Sequence, residues 1–243
     1  MIIIGIDYST DLKKCGLSTA EYINNKCQLN SIGLYKHEVI AELFRRHDSI
    51  LISIDAPLGW PEKLSNVLFT HKAGFKIQED ANELFRRLTD VEVKRITGKQ
   101  SLDVGADKIA RTAHGALNLI SRMREMFGIE LPLAWNPGAL SRENGASVIE
   151  VYPAVTLKQN NIRFDQYKGP DHTNERREII ESMSKIISMD ESHIKSCLSD
   201  DNILDSVVCV LAGIDFINGS CHEPGSNQMD QAEKEGWIWF KNI

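Results

Sequence analysis

The chain predicts a mixed α/β fold, and three observations carry the prediction. Residues 2–7 and 50–55, "IIIGID" and "ILISID", are short, almost wholly apolar runs, the pattern of strands buried on both faces. Between them, extended stretches near 15–22 and 26–35 are separated by "INNK", whose Asn24-Asn25 pair suits a tight turn. Residues 37–47 then place Val39, Ile40, Leu43 and Phe44 on one side at helical spacing. A three-stranded antiparallel meander followed by a helix is thus expected. That helix can act as the crossover to a strand parallel to the first.

The rest of the chain extends this pattern. "APLGWP" at 56–61 holds two prolines and a glycine, so it is read as irregular. Helices are expected near 79–87 and 106–127, and a strand over "SVIEVYP" at 147–153, stopped by Pro153. Further helices are expected over 173–189 and 200–217, the last with Ser199 as its N-cap. "GWIWF" at 236–240 closes the chain in extended form. There is no internal repeat, and the only linker-like loop, "NGSCHEPGSNQ", lies near the C-terminus. One domain over 1–243 is expected, with a helical insertion near 62–146.

Composition excludes several classes. The 243 residues are 42% hydrophobic and 26% charged, ordinary for a soluble globular protein. No apolar run approaches the roughly 20 residues of a membrane span. "MIIIGID" lacks a basic n-region, so it reads as a buried strand rather than a signal peptide, and a cytoplasmic location is expected. Five cysteines, odd in number and scattered, argue against a disulfide framework or zinc ribbon and for reduced, buried thiols. A net charge of −6 argues against indiscriminate binding of polyanions. From Leu84 to Met126, however, nine Lys/Arg face five Asp/Glu. That stretch is either a wall for an anionic substrate or a set of solvated helix faces.

The candidate chemistry lies in carboxylates. Asp7 and Asp55 each end an apolar strand, and if those strands are parallel neighbours both emerge at the carboxyl edge of the sheet. Turn-forming aspartates are the plainer alternative. Glu150 sits mid-strand among Val148, Ile149, Val151 and Tyr152. In "SDDNILDSVVCVLAG", Asp201 and Asp205 lie one helical turn apart and share a face. The helix dipole accounts for Asp200 and Asp201, but not for Asp205 among Ile203, Leu204, Val207, Val208 and Leu211.

If these acids converge, each pair about 4 Å apart repels by roughly 4 kcal/mol at an effective dielectric of 20. Several pairs would rival a folding stability of about 5–15 kcal/mol. Such a cluster must be partly protonated or hold a cation, and all-oxygen ligands select Mg²⁺ or Mn²⁺ over zinc.

These residues resemble the ribonuclease H-like fold, in which strands run in the order 3-2-1-4-5 with 1, 4 and 5 parallel, flanked by helices. The late-helix acidic pair resembles that of Holliday-junction resolvases of the same superfamily. More closely, "GIDYS", "SIDAPLGWP", "RRLTD", "EVYPA", "DDNILDSVVCVLAG" and "EGWIWF" resemble, in order, the motifs of a family of predicted nucleases with that fold. The resemblance implies a metal-dependent phosphodiesterase acting on nucleic acid, or on another phosphodiester, by two-metal hydrolysis. It puts Asp7, Asp55 and Asp205 in a Mg²⁺ or Mn²⁺ site with Asp201 beside them, and Glu150 in the catalytic set. Arg87 and Asp90 match an R-x-x-D motif, with Arg87 contacting phosphate and Asp90 orienting it; a structural salt bridge is the alternative. Lys168 and Arg177 fall where the family carries basic residues near its penultimate helix. In one departure, Glu38 and Glu42, the only acids on the first helix, sit off its apolar stripe, so neither is expected to bind metal.

Two other functions compete. A non-catalytic binding module would keep the fold and some acids without turnover. A phosphotransferase related to actin-like ATPases would use "GIDYST" as a phosphate loop, but that architecture needs two such halves. Trp60, Trp237 and Trp239 could stack on bases, though core packing is the simpler role. His114 reads as a packed or surface residue, and Ser9 and Thr10 as turn residues that could also hold a phosphate.

Overall fold

The computed structural model describes residues 1–105, 107–137 and 145–243. A six-stranded mixed sheet runs in the order β5-β4-β1-β2-β3-β6, with β1 Ile2–Asp7, β2 Gly16–Ile23, β3 Lys26–Leu34, β4 Ser49–Asp55, β5 Gly145–Glu150 and β6 Ile187–Ser188. β1, β2 and β3 form the antiparallel meander, with Asn24 and Asn25 both at positive φ in the turn between β2 and β3. Helix α1, His37–Arg46, leads to β4, which lies parallel to β1 with Asp7 directly opposite Asp55. β5 continues the parallel half beside β4.

The sheet departs from the expected five strands. Residues 184–189 leave the helix predicted over 173–189, so that α7 spans Thr173–Met183 and the two residues of β6 pair with Cys27 and Gln28 on β3. The strand predicted over 147–153 stops at Glu150, because Pro153 occupies the first turn of α6, Pro153–Gln159. Glu150 therefore ends its strand instead of sitting within it. Residues 236–240 make isolated bridges only, Ile238 to Glu150 and, just beyond, Lys241 to Cys221. Ser199 closes α8, Glu191–Ser199, and Asp200 caps α9, Asp201–Ile217, accepting from the Asn202 amide at 2.8 Å.

Between β4 and β5 lie α2 Glu62–Thr70, α3 Ala81–Phe85, α4 Leu88–Thr97 and α5 Asp107–Phe127. Ala106, the first residue of the helix predicted over 106–127, and residues 138–144 of the predicted insertion lie outside the described residues. Among the described residues, no helix is long and apolar enough to cross a membrane. All five cysteines are buried free thiols.

The period-two alternation of strands divides the core. Ile2, Ile4 and Ile6 of β1 and Ile50, Ile52 and Ile54 of β4 pack with Ile40 of α1 and with Leu119, Ile120 and Met123 of α5. Ile3, Leu51 and Ile149 face the other way, onto Leu204, Val207, Val208 and Leu211 of α9. From Ile203 onward every residue of α9 is buried. Two glycines let it lie that close: a Cβ at Gly5 would collide with the carbonyl oxygen of Ser206, and one at Gly16 with that of Asn202. Odd-numbered positions of β1 and β4 thus face α9. Asp7 and Asp55 are the last of those positions.

Candidate functional site

Three carboxylates meet where β1, β4 and α9 converge. Asp7 and Asp55 are register partners on adjacent parallel strands, so their Cα atoms are about 5 Å apart. The close seating of α9 brings Asp205 over them. Asp7 and Asp205 are buried, while Asp55 is half-buried at the rim. Burial first, then the charges of Asp205 and Asp55, raise the Asp7 carboxyl to about 9. Burial and then Asp205 raise Asp55 to about 7. Asp205 is pushed up by burial, against the pull of Lys168 and Tyr167. Asp201, half-buried one turn before Asp205, adds to the repulsion on both Asp7 and Asp205.

One cation answers this cluster. The Lys168 ammonium lies 2.7 Å from Asp205 Oδ2, although its side chain is 61% exposed. Burial opposes the lysine's charge, but Asp205, Asp55 and Asp7 outweigh it and raise its pKa. That ammonium is the one partner of the buried Oδ2 among the described residues. The other oxygen, Oδ1, accepts from the Tyr167 hydroxyl at 2.8 Å. Burial and Asp205 both raise the Tyr167 pKa, which keeps that donor protonated.

Arg176, buried on α7, donates to the Tyr167 carbonyl at 2.8 Å, the Gly169 carbonyl at 2.6 Å and the Leu198 carbonyl at 2.9 Å. It fixes the segment that delivers Tyr167 and Lys168. Arg177, the sequence candidate, points to solvent instead. A signal was available, because residue 176 stands three and four positions before Ile179 and Ile180 and so shares their buried face. Tyr167 lies in a loop without periodicity and had no such signal.

Arg87, Asp90 and Glu150 form a second, separate cluster. Arg87 Nε and Nη2 donate to Asp90 at 3.1 Å each, and Nη2 and Nη1 donate to Glu150 at 2.7 and 2.8 Å. Nη1 also donates to the Glu235 carbonyl at 3.2 Å, so all five guanidinium hydrogens are used. Glu150 further accepts from the Leu58 amide, and Asp90 from Ser101 and the Arg87 amide. Burial opposes the Arg87 charge, yet Glu150 and Asp90 raise its pKa. Arg87 therefore has no donor left for phosphate, a correction to the role expected for it, and Asp90 orients an internal ion pair. Glu150, paired with Ile54, has the parity opposite to Asp55 and turns away from α9, yet it lines the same cavity as Asp55 and its charge adds to the rise of the Asp55 carboxyl.

The remaining candidates are placed simply. Trp237 and Trp239 are buried in the core, and His114 is exposed on α5. Ser9 belongs to the loop after β1, where its amide donates to Cys15 Sγ and its hydroxyl accepts from the Asp11 amide. Glu38 and Glu42 are exposed on α1, across the sheet from α9.

Beside the acids opens a cavity of about 560 Å³, which reaches Asp55 and Lys168 at one end and Lys99, Tyr152 and Phe164 along its wall. Of the three acids Asp55 lines that end, with Asp7 and Asp205 buried behind it, and the set is all oxygen and short of positive charge. In chemistry it fits a hard divalent cation. Among the described residues, no three His, Cys, Asp or Glu side chains stand together in a ligating arrangement. Lys168 occupies the approach to Asp205.

A family model described as "Protein of unknown function (DUF429)" matches residues 5–229. The chain belongs to the DUF429 family. No curated protein matches it significantly. Among solved structures, the Fowlpox virus resolvase in complex with Holliday junction DNA is similar at 14% identity and a TM-score of 0.33, over 88% of this chain and 99% of that one. That likeness is too distant to align residues by.

Proposed function

We propose that this DUF429 protein is a metal-dependent phosphodiesterase of the ribonuclease H-like class, acting on nucleic acid. The observation that carries the reading is the convergence of Asp7, Asp55 and Asp205 at one sheet edge with a single ammonium to offset them. Asp7, Asp55 and Asp205 would hold Mg²⁺ or Mn²⁺, with Asp201 beside them. A bound divalent cation supplies an activated water and charge stabilisation at a phosphoryl group.

The protein's own residues do the rest. The Tyr167 hydroxyl fixes one oxygen of Asp205, and the other is held by the Lys168 ammonium. Arg176 holds the Tyr167–Gly169 backbone in place. Lys168, on a largely exposed stem, can swing from Asp205 to a substrate phosphate, trading one charge-assisted contact for another. Asp55 is the one of the three acids that lines the cavity and so would face an incoming phosphodiester.

One observation favours a second reading, a binding module without turnover: Lys168 already sits on Asp205 as a resident cation. Cleavage of labelled single-stranded and duplex oligonucleotides with Mn²⁺ decides between them. The phosphodiesterase reading expects cleavage that disappears in Asp55→Asn and persists in Arg177→Ala. Binding with no cleavage, or cleavage that survives Asp55→Asn, contradicts it.

A further inference from the structure

One wall of the cavity beside Asp55, at Lys99 and Phe164, carries a polar feature that the acid cluster does not use, and Lys158 joins it from just outside the lining. The Lys99 and Lys158 ammoniums stand 5.7 and 5.1 Å from the centroid of one ring, that of Phe164. Lys99 follows α4, Lys158 belongs to α6, and Phe164 follows α6, so three separate stretches of chain bring them together. Both lysines are half-buried, and among the described residues neither has a carboxylate within 4 Å. The other acids on the wall do not neutralise them: Asp90 and Glu150 are committed to Arg87, and Asp165 is exposed. Two like charges sharing one ring repel each other, and an anion between them removes that repulsion.

The rest of the wall fits the remainder of a nucleotide. Phe164 and Tyr152 are half-buried aromatics facing the space, with Ile109, Leu102 and Pro153 as apolar neighbours. A volume of about 560 Å³ lies in the small-molecule range of roughly 300–1,000 Å³. It is far too small to admit a duplex, whose major groove alone is about 12 Å wide. Aromatic faces beside lysines are the combination that holds unpaired nucleotides.

We infer that this cavity binds a single-stranded segment about two nucleotides long, with one phosphate at the Asp55–Lys168 end and a neighbouring phosphate held by Lys99 and Lys158 beside Phe164. This rests on the reading of the acid cluster as a phosphodiester site and narrows it to unpaired substrate, either a free dinucleotide or the end of a strand. The basic stretch from Leu84 to Met126 then contributes through Lys99 rather than as a continuous charged wall.

The test measures binding by fluorescence anisotropy without metal. The probes are a 5′-phosphorylated thymidine dinucleotide, a single-stranded oligonucleotide and the matching blunt duplex. The proteins are wild type, Lys99→Gln/Lys158→Gln and, as a variant that keeps both charges, Phe164→Leu; circular dichroism checks folding. The inference expects the dinucleotide and the single strand to bind and the duplex to bind at least about tenfold more weakly. The double variant should weaken single-strand binding about tenfold and lower the salt slope by about 1 per lysine. Phe164→Leu should weaken binding with the salt slope unchanged. Equal affinity for dinucleotide and strand identifies the free dinucleotide as ligand, and tighter binding of the strand identifies its end. Duplex binding as tight as single-strand binding, or affinity indifferent to both lysines, overturns the inference. A parallel Mn²⁺ titration separates the two readings. Lysine-dependent dinucleotide binding without Mn²⁺ binding upholds the pocket and fails the phosphodiesterase. Mn²⁺ binding with lysine-independent affinity does the reverse.

Discussion

Two groups of buried acids lie close to each other in this molecule, and they are treated in opposite ways. Asp90 and Glu150 share Arg87, whose five donors are all bonded, and their oxygens take further bonds from Leu58, Ser101 and the Arg87 amide. Asp7, Asp55 and Asp205 share, among the described residues, one ammonium on an exposed stem, which answers a single Asp205 oxygen. The first arrangement ties β5 to α4 and leaves nothing for a ligand. The second raises Asp7 to about 9 and Asp55 to about 7 and leaves charge to be answered from outside. A buried carboxylate is therefore not in itself a sign of a site. The sign is a missing partner.

The contrast breaks most sharply at Arg87. Arg87→Ala strands two buried carboxylates, so urea unfolding should show a loss of about 3–5 kcal/mol. A loss below about 1 kcal/mol would mean the cluster is not a structural tie. At Asp7 the sign reverses: near pH 8 the folded chain keeps this carboxyl largely protonated while the unfolded chain ionises it, so Asp7→Asn removes that cost and metal-free protein should gain roughly 1–2 kcal/mol. A loss of that size would place Asp7 among the satisfied acids.

The pH dependence sharpens the same point. Asp7 and Asp55 titrate near 9 and 7 in the folded chain and near 3.8 when unfolded, so between these values the folded state binds more protons. Their contribution must therefore fall as pH rises from about 4 to 9. Thermal melts of metal-free protein should show that decline, flattened in Asp7→Asn and Asp55→Asn. A decline of the same slope in both variants would assign it to other groups.

Smaller effects follow. Tyr167→Phe removes one bond to Asp205 and should cost about 1.5 kcal/mol by chemical denaturation. Arg177→Ala should stay within about 0.5 kcal/mol of wild type, whereas Arg176→Ala should lose several times more. Equal losses at 176 and 177 would remove Arg176 as the anchor of the Tyr167–Lys168 segment.

Much of this was legible in the residues. Alternation along "IIIGID" and "ILISID" sets Asp7 and Asp55 on one face, and the meander and crossover needed only local turn and helix signals. Asp205 stood out because no local rule explains a charge beyond the first turn of an apolar helix. What was hidden depends on register and on distant partners. Glu150 looks like another strand acid until its pairing with Ile54 turns it to the opposite face. Arg87 cannot be seen as saturated without knowing that Glu150 and the Glu235 carbonyl meet it. The closeness of α9 to β1 and β2 rests on Gly5 and Gly16 in the strands, which no pattern along the chain singles out. Lys99, Lys158 and Phe164 are brought together only by tertiary packing.

The most direct test of the partner-poor cluster is a calorimetric titration of Mn²⁺ into wild type, Asp205→Asn and Arg177→Ala near neutral pH. Wild type and Arg177→Ala should bind one or two ions, releasing protons from carboxyls held above their usual range, and folded Asp205→Asn should bind none. No binding to wild type at millimolar Mn²⁺, or undiminished binding to Asp205→Asn, would contradict a cation site built from Asp7, Asp55 and Asp205.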